Sequence, residues 1–517
     1  MPREPAAAPV CDTAATGRAG GGAGRAGAGP GARDGRAATR LRLWLVGAAV
    51  ALVAVAAAAL GIGVPATPDE PVAVDEPQYL LTALSLAQDG DLDIGNQLAE
   101  RQWRRFTTVE PPVETVVQPD GSQVSPHDPL LPMLLAVPMG LGGWVAAKLA
   151  MSLLAGALAA LALWVAVRRL GVSLPVAAVG VGIAAASAPL AVYGQQVYPE
   201  LPAALACLAG VAALTGATDR RQLILLTAAV VALPWLSVKY APVAAALAAV
   251  GLVRWWRAGA RRQAAAMGAA LVVAAGAYLL AHVVVWGGVT VYASGDHFQD
   301  IGELGVMGTD PSFGFRSWRI IDLLVDRTFG LVAWQPAWLL LVPALAALAA
   351  GMPERPGGVR AALVLPLVAG WLVATYPALT MHGHWWPGRQ VVVVLPLALL
   401  VILGWLERSG TAIRTTAAAL GLAGVFTYGG LLVDGYTGEL AWVNHFADTD
   451  APVHRLLNPL LADYGHTTSN FVWLGSLTAV AAAAYLLARR RAATAGDRPA
   501  PAALRSRTGR RTPARRR

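Results

Sequence analysis

Two adjacent carboxylates, Asp75 and Glu76, stand at the start of a helical pattern whose apolar positions begin at Tyr79. Carboxylates at a helix N-terminus are favoured as caps and by the helix dipole. A carboxylate in the same place can also act as a general base that takes a proton from a substrate hydroxyl. A second acidic pair, Asp69 and Glu70, precedes the first, so the residues alone leave both roles and both pairs open.

Glu200 and several cations are the next side chains able to bind or react. Glu200 follows a proline in a short turn between two apolar runs, where it either caps the next helix or faces the same site as Asp75. Arginine and lysine at such positions can hold a phosphate group, or can pair with a nearby acid such as Asp322 or Asp326. The candidates for this role are Lys239, Arg316, Arg319, Arg327 and Arg389.

The segment before Arg389 gathers His384, Trp385 and Trp386. The two tryptophans fit the aromatic belt at a membrane surface, and they also fit stacking on a sugar or a lipid. His384 is a candidate for binding a phosphate or the substrate. The same short segment therefore offers a cation, an imidazole and two aromatic rings to one ligand.

The composition indicates what kind of structure positions these side chains. Of 517 residues, 56% are hydrophobic and only 14% are charged, whereas a soluble protein carries about a quarter charged residues. Repeated apolar runs near ~20 residues predict an all-α, polytopic integral membrane protein. The two cysteines are far apart and form no disulfide or zinc pattern.

About twelve transmembrane helices and a long first external loop are predicted. The piece at 127–139 is short and holds three prolines, which indicates an interfacial or re-entrant helix. External loops are expected at 65–128, 287–330 and 433–470 within a membrane domain of residues 41–488, flanked by disordered basic cytoplasmic tails at 1–40 and 489–517. The spans are 41–64, 143–167, 173–193, 198–216, 222–238, 240–253, 264–286, 331–350, 361–381, 390–406, 411–432 and 471–488.

The charges predict the orientation of these spans. With both termini in the cytoplasm, most of the 40 lysines and arginines fall inside, and most of the 31 acids and all 8 histidines fall outside. The basic excess is then a topology signal, with membrane lipids and not nucleic acid as its partner. The chemically capable groups gather on the external face of what is predicted to be the plasma membrane. No internal repeat is visible, and ionisable residues are scarce in the middle of the spans, which disfavours a transporter.

Several of these segments together resemble one known protein family. Asp75-Glu76-x-x-Tyr79, followed by a short helix and Gly90-Asp91, resembles the first external loop of the GT-C membrane glycosyltransferases. It looks most like the branch that contains protein O-mannosyltransferases and lipid A aminoarabinose transferases. Similar segments follow in order over roughly residues 41 to 430, namely His127-Asp-Pro-Leu-Leu-Pro132, Tyr198-Pro-Glu200, Asp326-Arg-Thr-Phe-Gly330 and Trp386-Pro-Gly-Arg389.

The resemblance implies a cell-envelope enzyme that transfers one sugar, with inversion, from a polyprenyl-phosphate donor to an acceptor hydroxyl on a glycan, lipid or protein. Asp75 would be the base, and Glu76 and Glu200 would orient the acceptor or contact a divalent metal such as Mg²⁺ or Mn²⁺. Tyr79, His127, Asp128, Trp385 and Trp386 would contact substrate, and the donor phosphate would meet Lys239, Arg327, Arg389 and His384.

Two other classes stay open. One is a transporter or flippase of a lipid-linked sugar, and the other is a non-catalytic assembly subunit of GT-C type. The enzyme hypothesis makes a geometric prediction that these alternatives do not require. In the folded chain, the side chains that line a single external cavity should be those of Asp75, Glu200, Lys239 and Arg389.

Overall fold

The computed structural model describes residues 30–309, 311–351 and 358–496, with side chains within 39–493 of these ranges. Contact clustering divides the chain into two units, Met1–Trp44 and Leu45–Arg517, and every side-chain contact below lies in the second. The first helix begins at Pro30 and the last ends at Gly496, so each extends into a range predicted as disordered tail. Residues 1–29 and 497–517 of those tails lie outside the described residues.

The described chain is helical, with isolated β-bridges and no strand. In its first half the helices are α1 Pro30–Leu60, α2 Glu76–Gln88, α3 Gly95–Ala99, α4 Leu130–Val165, α5 Leu174–Ala185, α6 Leu190–Tyr193, α7 Glu200–Leu214, α8 Arg220–Leu236, α9 Ala241–Arg257 and α10 Arg261–Trp286. In its second half they are α11 Phe313–Arg316, α12 Arg319–Val325, α13 Leu331–Trp334, α14 Leu341–Ala349, α15 Val359–Thr375, α16 Leu395–Leu406, α17 Thr411–Thr437, α18 Pro452–Leu457 and α19 Thr467–Gly496.

Among the described residues, seven helical segments are long and apolar enough to cross a membrane. They are Thr39–Gly63, Leu130–Leu170, Val238–Arg257, Arg261–Ser294, Arg389–Leu406, Thr411–Thr437 and Thr467–Ala493. Shorter apolar helices occupy four more of the predicted spans, and α8 occupies another. The protein is therefore all-α and of polytopic membrane type, while a count of twelve crossings stays a prediction.

Glycine and proline explain where the helices break. Gly142 and Gly143 are non-helical inside α4, and Gly143 has φ +66° and ψ −158°, a conformation that only glycine adopts easily. This kink separates the predicted short helix from the span that follows it. The predicted span 331–350 is interrupted at Gln335, which is extended because a residue before proline avoids the helical region.

Four helices and two 3₁₀ turns surround the site. Helix α2 packs against α4, α4 packs against α7, and α7 packs against both α8 and the 3₁₀ turn Arg389–Val394. A second 3₁₀ turn, Val238–Tyr240, connects α8 to α9. The site described next lies where the first residues of α2, α7 and these two turns come together.

Candidate active site

Four charged side chains form one continuous set of contacts, here called the charge network. The Arg389 guanidinium donates to the Asp75 carboxylate (Nη2 to Oδ2, 2.6 Å) and to the Glu200 carboxylate (Nε to Oε1, 2.9 Å). The Lys239 ammonium donates to the same Glu200 oxygen at 2.7 Å. The predicted convergence of these residues is therefore present, although Asp75 and Arg389 are 314 positions apart in the chain.

Local sequence explains how each member is presented. Glu200 is the first residue of α7, after Pro199. Lys239 lies in the turn that follows Ser237, an extended residue at the end of α8. Gly388 has φ +82°, and a Cβ there would lie 2.8 Å from Leu331 Cδ2, so glycine is required for the turn that precedes Arg389.

Aromatic rings cover the guanidinium in the charge network, and its two cations retain N–H donors that have no hydrogen-bond partner among the described residues. The Arg389 guanidinium lies 4.2 Å from the ring centroid of Tyr198 and 5.5 Å from that of Trp385, within cation–π range. Its Nη1 atom has no hydrogen-bond partner among the described residues, and Lys239 uses one of its three N–H donors. The Lys239 side chain is 19% exposed. These remaining donors could bind an anion.

Asp75 does not cap α2, although it occupies the N-cap position. Its side chain makes no capping hydrogen bond and turns to Arg389 instead. Burial raises the pKa of the Asp75 carboxyl, but Arg389 and His127 outweigh that effect and hold it well below its usual range. The side chain is still 22% exposed, so an ionised carboxylate is accessible to a ligand.

His127 and Tyr79 stand beside this carboxylate. The His127 Nε2 atom lies 3.7 Å from Asp75 Oδ2, and its ring packs edge-on against Tyr79 with centroids 4.6 Å apart. Burial lowers the pKa of the His127 imidazole, but the neighbouring Asp75 and Glu114 carboxylates raise it above its usual value. Both predicted substrate contacts therefore adjoin the charge network, and their contact with substrate stays a prediction.

Glu114 was not anticipated from the sequence. It lies in an irregular stretch of the first loop, where no periodicity or motif marks it. Burial raises the pKa of its carboxyl to about 7, with His127 lowering and Asp75 raising it. The raised pKa of this carboxyl makes Glu114 a candidate functional group of the first loop.

Glu76 has a different environment from its neighbour Asp75. Its carboxylate pairs with Lys148 of α4 at 3.3 Å and accepts the main-chain N–H of Val197 at 2.8 Å. Neither side chain of the pair exceeds 1% exposure, and Lys148 also donates to the Pro71 carbonyl. Glu76 thus links three parts of the chain through buried contacts. This finding corrects its predicted role in orienting the acceptor or contacting a metal.

Asp128 is also buried and fully used, which corrects its predicted contact with substrate. One carboxylate oxygen accepts the Val238 N–H at 2.9 Å. The other accepts from the Tyr278 hydroxyl at 3.1 Å and lies 3.2 Å from His282 Nε2. Since His127 precedes Asp128 and Lys239 follows Val238, this carboxylate fixes the main chain on two sides of the charge network.

Trp386 belongs to the protein core. It is fully buried and packs against the rings of Trp334, Trp442 and Phe446, with centroids 5.0, 5.4 and 5.4 Å away. The predicted stacking of Trp386 on a sugar or lipid is therefore wrong, because its ring faces no solvent. Trp385 is half-buried beside Arg389, and its stacking role stays a prediction.

Two predicted phosphate ligands have partners away from the charge network. Arg327 pairs with Asp463 at 3.6 Å and is 39% exposed. His384 is exposed, and its Nδ1 atom lies 2.8 Å from Asn444 Oδ1. The structure therefore does not support Arg327 or His384 as part of one phosphate clamp with Lys239 and Arg389.

In the earlier acidic pair, Glu70 has a structural use. The Glu70 carboxylate accepts hydrogen bonds from the Thr107 hydroxyl at 2.6 Å, from the Thr108 N–H at 2.9 Å and from the Thr108 hydroxyl. Asp69 is exposed, with φ +67°. The assignment of Asp75 as the base, in preference to Asp69, stays a prediction.

The predicted divalent metal finds little support in the donor set. In the part of the chain that the structure describes, no three His, Cys, Asp or Glu side chains converge as a metal site. Asp75, Glu76 and Glu200 each engage a lysine or arginine instead. We therefore derive no step through a metal ion.

No protein-family model matches this chain, and no curated protein matches it. Two solved structures are similar, both crystal structures of ArnT from Cupriavidus metallidurans, one bound to undecaprenyl phosphate and one in the apo state. The chain resembles both at 17% identity and a TM-score of 0.49. The alignments cover 86% and 88% of this chain and 72% and 73% of the ArnT chains. A similarity at this level leaves the function to be inferred from the side-chain geometry.

Proposed function

We propose that this protein is a membrane glycosyltransferase that moves one sugar from a polyprenyl-phosphate donor to an acceptor hydroxyl. The observation that carries this proposal is the convergence of Asp75 and Glu200 on Arg389 and Lys239. It puts an accessible carboxylate and unused cationic donors within one side chain of each other. Such a pair is what sugar transfer from a phosphate needs, namely a proton acceptor and a group that stabilises the leaving phosphate.

The proposed chemistry assigns one task to each charged side chain. Asp75 takes the proton of the acceptor hydroxyl as its oxygen attacks the anomeric carbon. The bond from that carbon to the phosphate oxygen breaks, and a second negative charge develops on the polyprenyl phosphate. Arg389 Nη1 and Lys239 Nζ stabilise this charge, while Glu200 holds both cations in place.

Donor binding would also make Asp75 a stronger base. In the structure described here, Arg389 contacts Asp75 and keeps the pKa of its carboxyl low. A phosphate that binds Arg389 weakens this ion pair, and the pKa of Asp75 then rises toward its ordinary value. Proton abstraction would follow donor binding in this order, because a base with a very low pKa accepts protons poorly.

The position of the charge network argues against a transport pathway. Asp75, Glu200, Lys239 and Arg389 each lie at the beginning of a helical element or in a turn between helices. A transporter carries its ionisable groups near the bilayer midplane. We place the reaction at the external surface of the plasma membrane, with both termini in the cytoplasm, on the distribution of charged residues in the sequence.

The test is transfer by purified full-length protein from a panel of undecaprenyl-phosphate hexoses and pentoses to a membrane extract of the deletion strain. Asp75→Asn keeps the size of the side chain and removes its basicity, so we expect transfer to fall about 10²- to 10⁴-fold. Asp69→Asn is the matched control, since Asp69 is an exposed acid in the same loop and asparagine tolerates its positive φ.

Two results would contradict the proposal. Transfer that survives in Asp75→Asn at the level of Asp69→Asn would exclude Asp75 as the base. Absence of transfer by the wild type with every donor of the panel would exclude the enzyme class. Mass spectrometry of lipids that accumulate in the deletion strain identifies the donor independently of the acceptor.

A further inference from the structure

The connection between α9 and α10 lies at the opposite end of α9 from the charge network. Helix α9 begins at Ala241, two residues after Lys239, and ends at Arg257. Its 17 residues extend over about 25 Å, close to the ~30 Å thickness of the hydrocarbon core of a bilayer. The connection therefore belongs to the other face of the membrane, the one that the charge distribution predicts to be cytoplasmic.

An open apolar groove of about 570 Å³ runs between these two helices. Helix α9 supplies Leu252, Val253 and Trp256 to its wall, and α10 supplies Ala264, Ala265 and Gly268. The small residues of α10 leave the space that the groove occupies. Only 11% of the most apolar stretch of α10 is buried in the protein, so this helix and the groove beside it face lipid. The volume is within the range of about 300–1,000 Å³ that ligand pockets have.

Two arginines stand at one end of this groove. Arg257, the last residue of α9, forms part of its wall. Arg261, the first residue of α10, lies over the Trp256 ring, with its Cζ atom 5.3 Å from the ring centroid. Both arginines are exposed, and neither has a hydrogen bond or an ion pair with any described residue. Their N–H donors are therefore available to a ligand.

The nearest acids along the chain do not neutralise these arginines. Between Asp219 and Asp296 the sequence contains no aspartate or glutamate. The Asp219 carboxylate accepts the Gln222 N–H at 2.9 Å and so serves as the N-cap of α8. The groove thus combines an apolar wall with uncompensated positive charge at one end, and this combination matches an amphipathic anion.

We propose that the groove binds an anionic phospholipid of the cytoplasmic leaflet. One acyl chain lies along the apolar wall, and the phosphodiester oxygens accept N–H donors from Arg257 and Arg261. Basic pockets between membrane-spanning helices on this side favour anionic head groups, and the guanidinium fork fits phosphate oxygens. Trp256 lies at the level of the head groups, where indole rings are enriched. The inference is independent of the sugar-transfer chemistry.

The experiment is native mass spectrometry of the purified full-length protein in a neutral detergent, during titration with phosphatidylglycerol. We expect the wild type to bind it more tightly than phosphatidylcholine with the same acyl chains, because the choline cation is repelled by the arginines. Arg257→Gln/Arg261→Gln should lower the affinity for phosphatidylglycerol about 30-fold, the effect of two arginines beside an anionic head group. Arg257→Lys/Arg261→Lys keeps both charges and should retain most of the affinity.

Arg220→Gln/Arg221→Gln is the matched control for charge. Both arginines are exposed at the start of α8, which runs antiparallel to α9 and packs against α9 and α10. The double variant therefore removes two charges from the same face of the membrane without altering the groove. We expect its affinity for phosphatidylglycerol to stay within about threefold of the wild type.

A second pair of variants tests the position of the acyl chain. Ala265→Phe places a ring in the groove and should abolish the binding of phosphatidylglycerol. Ala266→Phe adds the same ring at the next position, which is also exposed but does not line the groove, and should leave binding unchanged. Unfolding temperatures without added lipid should match the wild type for every variant, since all the substituted side chains are exposed.

Three results would overturn the inference. The first is equal affinity for phosphatidylglycerol in Arg257→Gln/Arg261→Gln and in the charge control. The second is equal binding of phosphatidylglycerol and phosphatidylcholine by the wild type, which would show that the groove holds bulk lipid without selecting a head group. The third is unchanged binding in Ala265→Phe, which would place the lipid elsewhere on the protein.

Discussion

Asp75 and Glu76 are neighbours in the chain, yet they belong to two different kinds of charged contact. Asp75 meets Arg389 in a charge network that is partly open, with a carboxylate that is 22% exposed and donors that have no partner in the described chain. Glu76 meets Lys148 in a contact where neither side chain exceeds 1% exposure. Both contacts join distant segments of the chain, and both pair an acid with a base.

The difference shows which of the two ion pairs has the solvent access and the unused hydrogen-bonding capacity that a reaction would need. A buried pair whose lone pairs and protons are all used can hold segments together but has nothing to offer a ligand. An ion pair at a helix terminus that has a free N–H and a solvent-exposed carboxylate can open, so that one of its members binds a substrate instead. Substitutions on each side of this comparison should therefore affect different properties.

The largest effect on stability is expected on the buried side. Lys148→Met leaves the Glu76 carboxylate without its cation in a site closed to water, which should cost about 3–5 kcal/mol in the free energy of unfolding. The double variant Lys148→Met/Glu76→Gln removes both charges and should recover most of that loss. Denaturant or thermal unfolding in detergent measures both. Equal instability of the single and double variants would show that the ion pair is not what holds these segments.

On the open side, Arg389→Gln should reduce transfer, and it should also lower stability because Arg389 is 8% exposed and pairs with the fully buried Glu200. It removes a donor from the leaving phosphate, and loss of one such donor costs about 10²- to 10³-fold in kcat. It also frees Asp75 from its cation, so the pKa of that carboxyl should rise. Single-turnover rates measure the first effect. An Arg389→Gln protein that transfers normally would show that Arg389 serves the fold alone.

The smallest effect should come from Arg327, which the sequence suggested as a phosphate ligand. Its pair with Asp463 is exposed, and such pairs contribute about 0–1 kcal/mol. We expect Arg327→Gln to leave the donor KM and kcat within about twofold of the wild type. A large rise in donor KM would show that Arg327 belongs to the phosphate clamp and that its ion pair is not merely structural.

The helical membrane architecture was predictable because apolar runs of membrane-spanning length are a property of local composition. The interruptions were harder to predict. The run 331–350 is apolar throughout, and only the preference of Gln335 for an extended backbone before proline breaks it. The hydrophobicity of a segment indicates whether it can be buried, but it does not indicate where its backbone turns.

The candidate site was predictable in part. Asp75, Glu200, Lys239 and Arg389 were marked by their positions at the ends of apolar runs, and the structure brings them together. Lys148 lies inside a predicted span with no acid nearby in sequence, so only packing of α2 against α4 could reveal its partner. Glu114 was missed for a related reason, since His127 and Asp75, which shift the pKa of its carboxyl, are 13 and 39 positions away and no local pattern links them.

The charge network also has a thermodynamic consequence. Asp75 and Glu200 carry two negative charges, and Arg389 and Lys239 carry two positive ones, so the four side chains are electroneutral together. An anionic ligand that enters this region adds an uncompensated charge unless a proton enters with it. Donor affinity is then linked to proton uptake and should strengthen as the pH falls. Calorimetric titration with undecaprenyl phosphate in two buffers of different ionisation enthalpy would count that proton.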